Sequence, residues 1–222
     1  AFDYSNLELK VSVAEQKANL ELKHTNESLD FTMLVEALID TVNPVADLTL
    51  NLRGADLHEL GLSADKIKVG ATIQASWKGV PKAFESSLIV DHAVFIKQAD
   101  VYRLKPINVK FNNAPDSTEL AITSEVINGN LKANTSIDSV VGSFTNYLTR
   151  FLSADSLRAG LMNDSLDVAA HFTINSSTAF REIVLPNLTQ LDTIRLDIEF
   201  HPSKDQLSMS LSAPKIVYGD YT

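Results

Sequence analysis

Five histidines (His24, His58, His92, His171 and His201) are the side chains best suited to ligate a metal or move a proton near neutral pH, and they are dispersed along the chain. His58-Glu59 is not followed by a second histidine at metalloprotease spacing, and no His-x-His pair occurs. The absence of cysteine removes disulfides, thiolate metal ligands and thiol nucleophiles together. Gly-x-Ser-x-Gly, a Walker loop and a Gly-x-Gly-x-x-Gly turn are all missing, so hydrolase, phosphate-cradling and dinucleotide chemistry lack their minimal parts. Carboxylates are plentiful, but Glu8, Glu21, Asp197 and Glu199 alternate with apolar residues. That is the pattern of a solvated sheet face, not of an acid–base pair. The residues therefore point to a chain that is not an enzyme and needs neither cofactor nor metal. Asn-x-Ser/Thr triplets at Asn26, Asn134, Asn163, Asn175 and Asn187 read as products of an Asn/Ser-rich composition.

What dominates the sequence is alternation of period two. Leu7, Leu9, Val11 and Val13 alternate with polar residues, as do Ala18, Leu20 and Leu22, then Leu48, Leu50 and Leu52. The longest run is Ile67, Val69, Ala71, Ile73, Ala75 and Trp77; others follow at Ile107–Phe111, Leu131–Ile137, Leu166–Ile174, Ile194–Phe200 and Leu207–Leu211. A strand points successive side chains to opposite faces, so each run has one apolar and one wet face. About a dozen antiparallel strands are expected. Turn chemistry separates them at Asn43-Pro44, Asn112–Asp116, Asn128-Gly129 and His201–Ser203.

Three stretches break the period. Asp56–Leu62 reads as one or two helical turns stopped by Gly61. Ser139–Ser153 carries Val140, Phe144, Tyr147, Leu148 and Phe151 at helical spacing, a stripe expected to plug the apolar face rather than to act as a displaceable lid. Ser177–Leu191 has Phe180, Ile183, Val184, Leu188 and Leu191, with Pro186 ending or kinking that helix.

The 222 residues suffice for one large domain or two small ones, and 45% hydrophobic content provides a sizeable core. A balance of 19 basic against 28 acidic residues argues against nucleic acid and against an electrostatic grip on anionic lipid. The longest apolar runs, such as Ala93–Ile96, fall far short of the roughly 20 residues of a membrane-spanning helix. The acidic, polar start and the ending at Asp220-Tyr221-Thr222 read as a segment of something longer. A dozen strands at about 4.8 Å extend some 55 Å, whereas one helix covers a band about 10 Å wide. Two helices cannot roof that face. It must fold on itself, close, or hold an apolar guest.

The stretch Asp47–Gly79, DLTLNLRGADLHELGLSADKIKVGATIQASWKG, resembles the repeat of the AsmA/TamB-like family. That repeat has an alternating strand, an ADLxxLGL element, a second long strand and a closing glycine. SSLIVDHAVFIKQADVYRLKPINVKFNNAPDSTELAITSEVINGNLKANTSI continues the likeness, and AFREIVLPNLTQLDTIRLDIEF resembles the helix-to-strand element that opens another repeat. The resemblance covers roughly residues 45 to 201. It implies a long, curved antiparallel sheet forming a taco-like groove in two consecutive repeats, 1–138 and 139–222. It also implies a periplasmic segment of a protein anchored in the inner membrane of Gram-negative bacteria. The implied function is noncatalytic, phospholipid transfer between the two membranes in support of outer-membrane biogenesis and protein assembly. Phospholipid or fatty acyl chains and neighbouring repeats of the same chain are the implied partners, with an outer-membrane barrel protein reached through regions outside this chain.

From the residues alone, an acyl groove needs one apolar face, continuity along the stack and no titratable groups inside. Ile67, Val69, Ile73, Trp77, Ile107, Val109, Phe111, Val168, Phe172, Ile198 and Phe200 are the candidate wall. The plain alternative makes them packed core, and Trp77 an edge cap. Two other functions compete: a structural spacer whose strand edges dock partners, and a closed lipocalin-like or carbohydrate-binding β domain. Closure of the sheet discriminates the last.

Overall fold

The computed structural model describes residues 6–152, 165–178, 181–182 and 188–219, with only the backbone of 151–152 and 188–189. The strands are β1 (Leu7–Ala14), β2 (Lys17–Thr25), β3 (Leu29–Leu38), β4 (Val45–Asp56), β5 (Ile67–Val80), β6 (Ala83–Lys97), β7 (Asp100–Arg103), β8 (Ile107–Ala114), β9 (Ser117–Thr123) and β10 (Ile127–Ala133). After helix α1 (Ile137–Leu152) come β11 (Val168–Ile174), β12 (Leu188–Leu191), β13 (Ile194–His201), β14 (Gln206–Ser212) and β15 (Ile216–Tyr218).

The protein is mainly β. Thirteen strands form one antiparallel sheet in the order β1-β2-β3-β4-β5-β6-β8-β9-β10-β11-β13-β14, with β7 pairing β6; β12 and β15 form a separate two-stranded sheet. Nearly every strand pairs with its sequence neighbour, so short turns set the topology. At the β1–β2 turn Glu15 and Gln16 both have positive φ, 48° and 67°, the mirror-image turn that matches strand twist. The Ser124 hydroxyl organises the β9–β10 turn, accepting from the Val126 and Ile127 amides and donating to the Ile127 carbonyl. The sheet does not close, since β1 and β14 lie at opposite ends of the order. The closed lipocalin-like or carbohydrate-binding alternative fails on that point. The ladder also continues from β10 directly to β11, on either side of the helix.

Several local expectations are corrected. Asn128-Gly129 is not a turn but the interior of β10, where Gly129 faces Phe172 of β11. A Cβ at Gly129 would overlap the Phe172 ring and crowd the His171 carbonyl, so the glycine serves close approach. The loop expected at Asn112–Asp116 is shorter, because β8 runs through Ala114. Ile137 opens α1 instead of ending a strand. Asp56–Leu62, by contrast, makes the expected turn stopped by Gly61: Leu60 N–H donates to Asp56 O at 3.0 Å and Gly61 N–H to His58 O at 2.9 Å, with Gly61 left-handed at φ 73°. Leu188–Leu191, expected within a helix, is β12 paired with β15. Phe180, Ile183, Val184 and Pro186 of that expected helix lie outside the described residues, as do Asn163 and Asn187. At the start of that expected helix Thr178 and Arg181–Glu182 are helical, with Arg181 N–H donating to the Ser177 carbonyl at 3.1 Å, and among the described residues no helix is long and apolar enough to cross a membrane.

Candidate functional site

Register determines which side chains share a face. One row runs across twelve strands as Val11, Leu20, Val35, Leu48, Ala75, Leu88, Val109, Ile122, Gly129, Phe172, Leu196 and Leu211. The next row is Val13, Ala18, Ala37, Ala46, Trp77, Ser86, Phe111, Leu120, Leu131, Ala170, Ile198 and Met209. Neither row contains a titratable side chain. All the candidate wall residues fall on this same face, carried by β5, β8, β11 and β13.

Their surroundings differ. Ile67, Val168 and Phe200 are buried, while Val69, Ile73, Trp77, Ile107, Val109, Phe111, Phe172 and Ile198 are half-buried. Val168 and Phe200 are buried by α1, whereas Ile67 lies at the far end of β5, where its carbonyl accepts the Leu57 N–H of the Asp56–Leu62 turn at 2.8 Å. Val140 and Tyr147 pack with Ala133, Leu166, Val168 and Phe200 in the chain's main core cluster. Phe200 meets Phe144 and Tyr147 edge to face, with centroids 5.7 and 5.2 Å away. Phe144 and Leu148 keep about a third of their surface exposed, so the expected plug is only partly buried; the Phe151 side chain lies outside the described residues.

Two polar anchors direct the helix. Asn113 of β8, buried to 1% exposure, accepts the Ile137 N–H at 2.8 Å through its side-chain oxygen. Its neighbour Thr118 donates to the Thr135 carbonyl at 2.7 Å. At the other end Tyr147 Oη donates to the Asp205 carbonyl at 3.3 Å, and Arg150 pairs with the Asp205 carboxylate at 3.1 Å. Asp205 sits in the turn between β13 and β14. Sixteen helical residues span about 24 Å. The five strand spacings from β8 to β14 also come to about 24 Å. The helix thus lies across the strand ends of one half of the sheet and caps a single row. Of the two long rows, Ala170 is buried and Leu131 packs against the helix's cluster, while the other positions keep part of their surface exposed among the described residues.

At the opposite strand end, Lys97 pairs with Asp65 at 2.9 Å and donates to the Glu182 carbonyl at 3.2 Å. Between these borders Trp77 stacks on Phe84 with centroids 3.8 Å apart, Phe84 meets Phe111 edge-on, and the indole N–H donates to the Gly79 carbonyl at 2.8 Å. Trp77, Leu48, Ala75, Leu88 and Val109 line an open cavity of about 380 Å³ on the apolar face. Leu48, Leu88, Val35 and Ile122 extend the wall beyond the residues singled out from sequence. Leu88 and Val35 lie in runs apolar on both faces (Leu88-Ile89-Val90 and Met33-Leu34-Val35), which hide the period.

The reverse face carries the charge. Lys10 and Lys23 flank Glu21, Arg53 pairs with Asp30, Lys132 with Glu119, and His171 with Asp197. The Lys23 hydrogen bond holds the Glu21 carboxyl below its ordinary value, and the Arg53 hydrogen bond does the same for Asp30. A larger concavity of about 760 Å³ is lined chiefly by this polar face, including Lys78, Glu85, Lys110 and Lys132. His24 is the one histidine on the apolar side, stacked on Phe31 with Nδ1 3.0 Å from the Leu29 carbonyl. Among the described residues no three histidines or carboxylates converge as metal ligands. No protein-family model, curated protein or solved structure matches the chain.

Proposed function

We propose that the protein is a noncatalytic segment that carries acyl chains along the apolar face of its sheet. It would act as part of a curved, taco-like periplasmic conduit for phospholipid between inner and outer membrane. One observation carries the reading: two register rows twelve strands long present no titratable group and, apart from buried Ala170, keep part of their surface exposed among the described residues. A buried methylene gains about 0.8 kcal/mol, so an acyl tail with fourteen or so methylenes covered gains on the order of 10 kcal/mol before ordering costs. Neighbouring aliphatic positions of similar depth let a tail shift along the row without leaving a deep minimum. The resemblance to AsmA/TamB-like repeats supports the compartment and the phospholipid cargo, and neighbouring repeats and an outer-membrane barrel protein as further partners.

Native mass spectrometry of protein isolated from a Gram-negative host tests the reading. Phospholipid or fatty-acid adducts are expected, and delipidated protein should take up a fluorescent fatty acid. A chain that carries no adduct and ignores the probe would leave a scaffold only.

A further inference from the structure

Among the described residues no strand pairs with the outer edge of β1. Its eight residues pair with β2 without a bulge, and it contains no proline. Leu7, Leu9, Val11 and Val13 are 45% to 66% exposed. Natural sheets usually blunt such an edge, because its free N–H and C=O groups accept another strand. The two-residue turn at Glu15-Gln16 makes Ala14 and Lys17 the flanking hydrogen-bonded pair. Counting back by twos, Ser12, Lys10 and Glu8 direct their backbone groups toward β2. Leu7, Leu9, Val11 and Val13 direct theirs outward.

We infer that β1 is a self-association edge: two copies of this chain join β1 to β1 antiparallel about a twofold axis at Leu9. A twofold axis normal to the sheet keeps the apolar faces of both copies on one side, as an isologous interface requires. Charge selects the register. With Leu9 opposite Leu9, Glu8 of each copy stands opposite Lys10 of the other, and Leu7 opposite Val11. Shifting the axis to Lys10 sets lysine against lysine, and shifting it to Glu8 sets glutamate against glutamate. Within one copy Glu8 already faces Lys23 and Lys10 faces Glu21, with Lys10 and Glu21 at 3.5 Å. The Leu9 register therefore extends an existing checkerboard of charge across the junction. The other edge, β14, presents only the uncharged Gln206, Ser208, Ser210 and Ser212 on its polar side and offers no such selection. This interface does not depend on lipid carriage.

The chain's lack of cysteine makes the test clean. Sedimentation of the unmodified chain should show a dimer. Leu9→Pro removes an outward N–H, not one bonded to β2, so it should give a monomer with an unchanged circular dichroism spectrum. Leu9→Cys should oxidise to a covalent dimer, because twofold-related Cα atoms in a hydrogen-bonded pair lie about 5.5 Å apart. Val11→Cys should not, since its own copy lies four residues along the partner strand, about 13 Å away. Glu8→Lys and Lys10→Glu should each be monomeric alone and dimeric when mixed. A monomeric parent chain, a dimer that survives Leu9→Pro, a covalent dimer of Val11→Cys in place of Leu9→Cys, or a mixture that fails to associate would overturn the proposal.

Discussion

Val109→Glu places a carboxylate in the middle of the long apolar row, with Leu88 on one side and Ile122 on the other. In the free protein the position is half-buried on an open face, so the carboxylate remains hydrated and the fold is kept. An acyl chain lying along the row must cover it, and a covered carboxylate either loses its water or takes up a proton. Keeping a glutamic acid of ordinary pKa, about 4.3, protonated at pH 7 costs about 3.7 kcal/mol; at pH 5 it costs about 1 kcal/mol. Binding should therefore weaken about 500-fold at pH 7 and only about fivefold at pH 5. The sign follows from the bound state holding the raised pKa: proton uptake accompanies binding, so affinity recovers as pH falls. Trp77 supplies the assay. It is the chain's single tryptophan and lines the same cavity as Val109, so a brominated fatty acid should quench it on binding. Val109→Gln, polar but uncharged, should show a smaller defect that does not vary with pH. If Val109→Glu binds as tightly as the parent, or its defect matches that of Val109→Gln at both pH values, the acyl chain does not run along this row.

Other expectations concern the fold that holds the face open. Phe200→Ala empties the core under α1, where the ring is 2% exposed, and should cost about 3–5 kcal/mol in denaturant unfolding. Gly129→Ala forces a methyl group against Phe172 and should lose about 1–3 kcal/mol in the same measurement, while Gly142→Ala, with nothing near its added Cβ, should not destabilise. The Asp30 carboxyl should titrate below its ordinary range by NMR and return toward it in Arg53→Gln. Because that folded-state pKa is depressed, any stabilisation it brings is present above about pH 3.9 and disappears as pH falls through the folded value.

Much of the architecture was legible because period two is a local property. A residue's alternation with its immediate neighbours assigns it to a face before any partner strand is known, and the candidate wall residues from Ile67 to Phe200 share one face for that reason. Local chemistry misled where a residue's role depends on a distant strand. Asn128-Gly129 has the composition of a tight turn, yet Gly129 is needed because Phe172, 43 positions on, lies where a side chain would stand. Asn113 reads as part of a loop, yet it holds the start of α1 through the Ile137 amide. Leu188–Leu191 has helical apolar spacing, but the pairing partner Ile216–Tyr218 makes it a strand.

The chain's own order of residues determined that there would be many antiparallel strands, one greasy side and one charged side. It could not say how far that greasy side would be covered, because coverage depends on where a helix is anchored and not on how apolar its stripe is. Asn113 and Asp205 pin α1 crosswise over strand ends, and that long-range placement buries Val168 and Phe200 while Ile73, Trp77, Val109 and Phe111 stay half-exposed.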